Sequence, residues 1–371
     1  MLQAFFHAWE RQLAAITTDR VVRPFEWGLE WIPPHGSHAH GSEDQRRSSR
    51  GSPDEELAHW VAHVMADTDA FFTPEPTSDY TLRRPTPDSD GLLTFPSAIV
   101  TPHRENNTVH CRLFPAGADG GRGAARSAPA RPRAAVLVLP QWNADQGGHV
   151  GLCRVLARNG MTALRLTLPY HDQRMPPELH RADYIVSANV ARTVQVCRQA
   201  VLDARRAIAW LAREGHERIG ILGTSLGSCL ALLTTAHEPI LKAQALNHIS
   251  PHFADVVWRG LSTRHVRDGL DGHIGLDSLR ALWKPISPRW YLDRVRDRKT
   301  LLVYARYDLT FPVDLSEDLV REFRERAIPH EVAVLGCGHY SSGKAPFKFV
   351  DGWILTRFLK KALLSSNQPS R

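Results

Sequence analysis

Apolar positions along this chain change their spacing several times, and each change marks an element. Residues 2–16 carry apolar side chains at helical spacing. Phe25 to Ile32 is aromatic-rich and reads as a segment packed onto a larger body. Residues 33–53 are rich in Ser, Gly, His and Arg without any period, which predicts an exposed loop. Pro53-Asp54-Glu55-Glu56 then opens a helix expected to reach Phe72, its carboxylates lying in the first turn where the helix dipole favours them. From Leu92 the period changes. Residues 92–100 and 108–114 read as an antiparallel pair, and 115–132, rich in Gly, Ala, Arg and Pro, as a loop.

A regular alternation follows. Residues 134–139 form a continuous apolar run of strand type, and 147–159 a helix that stops at Gly160. Strands are predicted at 162–168, 218–222, 241–246, 299–304 and 331–335. Helices are predicted at 189–213, after Ser225, at 314–326 and at 347–364. Strands alternating with helices imply an α/β architecture, a mostly parallel sheet covered on both faces. The interval 248–298 interrupts the alternation and is far too long for a simple connection. It contains Trp258, Trp283, Trp290 and Tyr291, and reads as a helical lid inserted between late strands. The chain therefore divides into an N-terminal helical extension, 1–90, and an α/β core, 91–365.

The chemistry concentrates at three strand ends. Gly223-Thr224-Ser225-Leu226-Gly227 lies between a strand and a helix, the pattern of a nucleophile elbow. The turn holds the serine in a strained conformation, and the flanking glycines avoid collision with neighbouring backbone. A serine hydroxyl needs a base, and the base needs an orienting carboxylate. Asp308 follows the strand at 299–304, and His339 follows the last strand in Gly336-Cys337-Gly338-His339. The chain order Ser, Asp, His is the one that accompanies the nucleophile-elbow pattern. Two glycines are expected to give the His339 loop freedom to aim its ring. Asp314, opening a helix, fits a capping role instead.

Tetrahedral chemistry also needs N–H donors for an oxyanion. Leu226 supplies one at the helix start. The second is expected from Pro140-Gln141-Trp142-Asn143, with Trp142 the first choice and Gln141 or Asn143 as alternatives. That loop lacks the His-Gly pairs common at this position. Tyr170 and His171, after the second parallel strand, are candidates for substrate contact or for loop packing.

Composition narrows the function class. The chain has 371 residues and a net charge of +7, with arginines scattered rather than blocked among aromatics, so nucleic acid is not the expected partner. Its five cysteines form no C-x-x-C pair, which argues against a disulfide framework or structural zinc and fits a reducing, cytoplasmic setting. His38-Ala39-His40 has no acidic or thiol companions at metal-ligand spacing. No apolar run approaches the length of a transmembrane helix.

These motifs resemble the α/β-hydrolase superfamily over residues 92–364. Leu168-Pro169-Tyr170 and the long helix before the elbow are most similar to its dienelactone-hydrolase and prolyl-oligopeptidase-like branch, with a distant likeness to uncharacterised abhydrolase-domain proteins. The resemblance implies esterase, thioesterase, lipase, peptidase or dienelactone-hydrolase chemistry on a small acyl substrate, with no cofactor and no metal. Fold likeness does not choose among these. A catalytically silent scaffold or binding module, and an acyltransferase or peptidase on the same fold, are the rival readings.

Overall fold

In the computed structural model, which describes residues 1–33, 51–117 and 133–365, the chain opens with helix α1 (Leu2–Ala15). Helix α2 (Pro53–Ala66) begins in a capping box, Ser52 and Glu55 each satisfying the other's backbone N–H. The single helix expected over 53–72 is instead two, because Asp67 leaves helical geometry and its carboxylate caps α3 (Thr68–Phe71) through Ala70 N–H at 2.9 Å. Most of the loop expected at 33–53, and most of that at 115–132, lies outside the described residues.

The sheet is built from β1 (Thr81–Arg83), β2 (Gly91–Pro96), β3 (Thr108–Phe114), β4 (Ala134–Leu139), β5 (Met161–Leu166), β6 (Arg218–Thr224), β7 (Leu241–Asn247), β8 (Lys299–Ala305) and β9 (Glu331–Leu335). Their spatial order is β1-β2-β3-β5-β4-β6-β7-β8-β9. The first three pair antiparallel at one edge, and the six from β5 to β9 run parallel. Strand β1 was not anticipated; three residues with no apolar alternation leave little signal.

Helices α4 (Val150–Arg158), α5 (Val190–Arg213) and α6 (Leu226–His237) connect the central strands. The insertion after β7 folds as α7 (Phe253–Arg259), α8 (Arg264–Leu270), α9 (Leu276–Leu282) and several 3-10 turns. Helices α10 (Val313–Glu325) and α11 (Phe347–Leu364) complete the chain.

Strand β4 shows how the sheet makes two cores. Ala135, Leu137 and Leu139 face α5, α6 and the insertion, while Ala134, Val136 and Val138 face α4 and α11. All six are buried, which is why the run is apolar throughout rather than alternating. The N-terminal segment joins both cores. Phe6 of α1 packs into the second, and Leu57, Trp60, Val61 and Val64 of α2 into the first. Loops at the carboxyl ends of β4, β6, β7, β8 and β9 converge on one cleft, the place where open α/β sheets bind ligands.

Candidate active site

The turn between β6 and α6 sets the position of Ser225. Its backbone lies at φ 57°, ψ −122°, a conformation an L-residue holds only when its surroundings impose it. Those surroundings are tight. A Cβ on Gly223 would sit 2.1 Å from Gly227 O, and one on Gly227 would sit 2.3 Å from Leu139 O. The elbow is thus pressed against both its own helix and the end of β4. Ser225 N–H donates to Asn247 O at 2.7 Å, and Ser228 Oγ lies within hydrogen-bond distance of Ser225 O (2.6 Å) and His248 O (2.9 Å). Gly227→Ala is expected to lower the free energy of unfolding by about 4 kcal/mol or more, because backbone rather than a flexible side chain must move. Thermal unfolding with and without the substitution checks this.

Asp308 is buried just past β8, and each of its oxygens takes two donors. Oδ1 accepts Thr310 N–H at 2.8 Å and Phe311 N–H at 2.7 Å. Oδ2 accepts His339 Nδ1–H at 2.9 Å and His248 Nδ1–H at 2.9 Å. Burial alone would push the carboxyl up, but the two imidazoles outweigh it and hold Asp308 well below the usual carboxylate range. His339 lies parallel to Phe311 in an offset stack, ring centroids 5.5 Å apart, so the loop that carries the acid also orients the base. Ser225 and His339 line the same cleft. Among the described residues the Ser225 hydroxyl makes no hydrogen bond; contacts of this kind often tighten only in the substrate complex.

His248 was read from sequence as the first residue of the lid. It is instead a wall of the site. It follows β7, has φ 56°, and its ring centroid is 4.5 Å from that of His339. Burial disfavours its charged form, but the bond to Asp308 outweighs that and raises its pKa. Its position at the carboxyl end of the strand beside β6 was the available signal. His248, Asp308 and His339 bring ligand atoms within 4.8 Å of one another. With four donors already on Asp308, the cluster reads as a hydrogen-bonded relay rather than a metal centre.

Tyr170 and His171, the candidates for substrate contact or loop packing, lie behind the loop that follows β4. His171 is buried, its Nδ1–H donating to Pro169 O and its Nε2 accepting Asn143 N–H, both at 2.9 Å. Burial pushes its pKa down to about 4, so the ring stays neutral as that pair of bonds requires. Tyr170 is fully buried and its hydroxyl pairs with His103 Nδ1 at 3.0 Å. Neither lines the cleft, so both belong to loop packing rather than substrate contact. Asn143 also departs from its reading as an oxyanion donor, since His171 takes its N–H while its side-chain oxygen accepts Ala182 N–H at 2.8 Å. Gln141 and Trp142 remain on the cleft wall with Leu226. The Trp142 indole donates to Ala182 O at 2.8 Å and stacks on His265, which fixes the loop.

The insertion supplies an apolar wall through Phe253, Val256 and Val257. Its tryptophans do not. Trp283 is buried with its Nε1–H on Val190 O, and Trp290 is exposed beneath Lys284. All five cysteines are free and buried, and burial raises the thiols of Cys153, Cys229 and Cys337 to about 12, which leaves them poor nucleophiles. The glycines of the His339 loop also play unequal parts. A Cβ on Gly336 would meet open space, whereas Gly338 lies against Glu10.

No family model and no curated protein matches the chain. Solved structures do. The acylaminoacyl peptidase of Pyrococcus horikoshii superposes with a TM-score of 0.58 at 13% identity, over 79% of this chain and 43% of the peptidase. The acetyl xylan esterase of Paenibacillus sp. R4 superposes at 0.57 and 14% identity, over 87% of this chain and 100% of the esterase. The fold is that of the α/β-hydrolases. A lipase in its open form has it too, with a TM-score of 0.52 at 11% identity over 72% of this chain and 97% of the lipase. This chain spans less than half the length of the peptidase. Among the described residues no helix is long and apolar enough to cross a membrane.

Proposed function

We propose that this α/β-hydrolase is a serine hydrolase that cleaves a carboxylic ester or related acyl compound through an acyl-enzyme on Ser225. The observation that carries the reading is a serine held in a strained elbow, on the same cleft as a histidine whose Nδ1–H is fixed on a buried carboxylate. Ser225 Oγ attacks the acyl carbon while His339 Nε2 takes its proton. Asp308 stays ionised, holds the ring in the required tautomer and stabilises the imidazolium. The oxyanion lies against the N–H groups of Leu226 and Trp142, with Gln141 the alternative second donor. Collapse breaks the bond to the leaving alkoxide, which receives the proton from His339. Water then repeats the sequence in reverse, releases the acid and restores Ser225. No cofactor takes part.

The esterase and lipase names among the structural neighbours support an ester, and the peptidase name supports an amide on the same machinery. The test is a series of p-nitrophenyl esters of rising chain length beside matched anilides and an added alcohol acceptor. Expected are ester turnover and a chain-length optimum set by the wall of Phe253, Val256 and Val257. Faster anilide cleavage would make it a peptidase, and ester product with the alcohol would make it an acyltransferase. No turnover by folded protein would favour a silent scaffold.

A further inference from the structure

We propose that helix α1 is a built-in positioning element for the acid and base loops, and that Glu10 is its positioning residue. The inference rests on the serine-hydrolase reading and extends it to a segment outside the catalytic core. Glu10 is completely buried, and carboxylates are almost never so unless their oxygens are satisfied. Its partners are backbone groups. Oε2 accepts Tyr340 N–H at 2.8 Å and Oε1 accepts Ser341 N–H at 2.9 Å. These are the two residues that follow His339. The carboxylate thus caps the turn Ser341–Gly343 from a helix some 330 positions away in the chain. The same turn is closed internally by Ser342 Oγ–H on His339 O at 2.7 Å and by Gly338 N–H on Ser341 Oγ at 2.8 Å.

Two further observations point the same way. A Cβ on Gly338 would lie 2.3 Å from Glu10 Cδ, so the residue before His339 must be a glycine for the Glu10 side chain to sit against the loop. Phe6, four residues before Glu10 and on the same helix face, stacks on Tyr307 at 4.6 Å and 7°. Tyr307 precedes Asp308, and its N–H donates to Cys337 O at 3.0 Å. Helix α1 therefore grips the loop of the acid through Phe6 and the loop of the base through Glu10. A misplacement of a reacting group by about 1 Å can cost about 100-fold in rate, so this grip bears on turnover and not on stability alone.

The experiment compares full-length Glu10→Gln, Phe6→Leu and wild type at a temperature where all are folded. Glu10→Gln keeps the shape but turns an N–H donor toward a backbone N–H. It is expected to lower kcat on a p-nitrophenyl ester, and the rate of fluorophosphonate labelling, by about 10- to 100-fold with KM within about twofold. Phe6→Leu, which spares Glu10, is expected to give a smaller loss of the same kind. Leu57→Ala, destabilising in the remote α2 core, should retain wild-type kcat while folded. Amide exchange at Tyr340 and Ser341 reads the grip without any catalysis and should accelerate at least tenfold in Glu10→Gln. Unchanged loop exchange, or a labelling rate within twofold of wild type, would overturn the proposal. A wild type that is never labelled, while exchange responds as expected, would instead sink the serine-hydrolase reading.

Discussion

Ser225→Ala is expected to lower kcat on an activated ester by about 10⁵- to 10⁶-fold. KM should stay within a few-fold, and the unfolding midpoint close to wild type. The size of the loss follows from the relay acting as a unit. Without the hydroxyl, His339 has no nucleophile to deprotonate, and what survives is the stabilisation that Leu226 and the β4 loop provide to water attack. Asp308→Asn should cost about 10⁴-fold, because the wrong tautomer of the base is then favoured. It should also destabilise the fold, which Ser225→Ala should not. Asp308 Oδ2 accepts from two imidazoles, and an amide nitrogen there would face two N–H donors. Steady-state kinetics and thermal unfolding of the two variants separate these effects.

Mild acid is expected to destabilise the protein strongly. Burial pushes His149, His171, His216, His237 and His265 down to about 4. In the unfolded chain they titrate near 6.5. A depressed folded value means that the contribution to stability is fully present above about pH 6.5 and is lost as pH falls toward 4, since only the unfolded state takes up the protons. At pH 5 each of the buried rings His171, His216, His237 and His265 costs up to about 2 kcal/mol, and His149, which lines the cleft, less because solvent screens it. His248 works in the opposite direction, its raised pKa favouring the fold at low pH, but it is one group against five. The unfolding temperature should fall by about 5–10 °C between pH 7.5 and pH 5. A flat or rising midpoint would contradict the assignment of these rings as buried and neutral.

The alternation of apolar strands and amphipathic helices made the parallel sheet legible from the chain alone. Ser225, Asp308 and His339 stood out because each follows a strand, and the structure joins His339 to Asp308 and puts Ser225 on the same cleft. What could not be read were partnerships across long sequence distance. Nothing near Glu10 in the chain announces that its carboxylate caps the turn after His339. His248 was passed over because it stands at the start of the long insertion 248–298, where its place at the end of β7 counted for less than the break in the alternation. His171 and Tyr170 stand at a strand end of the right kind, yet burial beneath the β4 loop takes them out of the cleft. A strand-end rule identifies positions near a site but not the direction in which each side chain points. The long helix expected over 53–72 failed for a local reason, since Asp67 satisfies backbone donors better as a cap than within a helix.

Covalent labelling tests the central claim most directly. Folded protein would be treated with a fluorophosphonate, digested, and mapped by mass spectrometry, with Ser225→Ala and His339→Ala alongside. The account predicts one stoichiometric adduct, on Ser225, that is absent from Ser225→Ala and forms far more slowly in His339→Ala. An adduct on another residue, or none on folded wild-type protein, would contradict it.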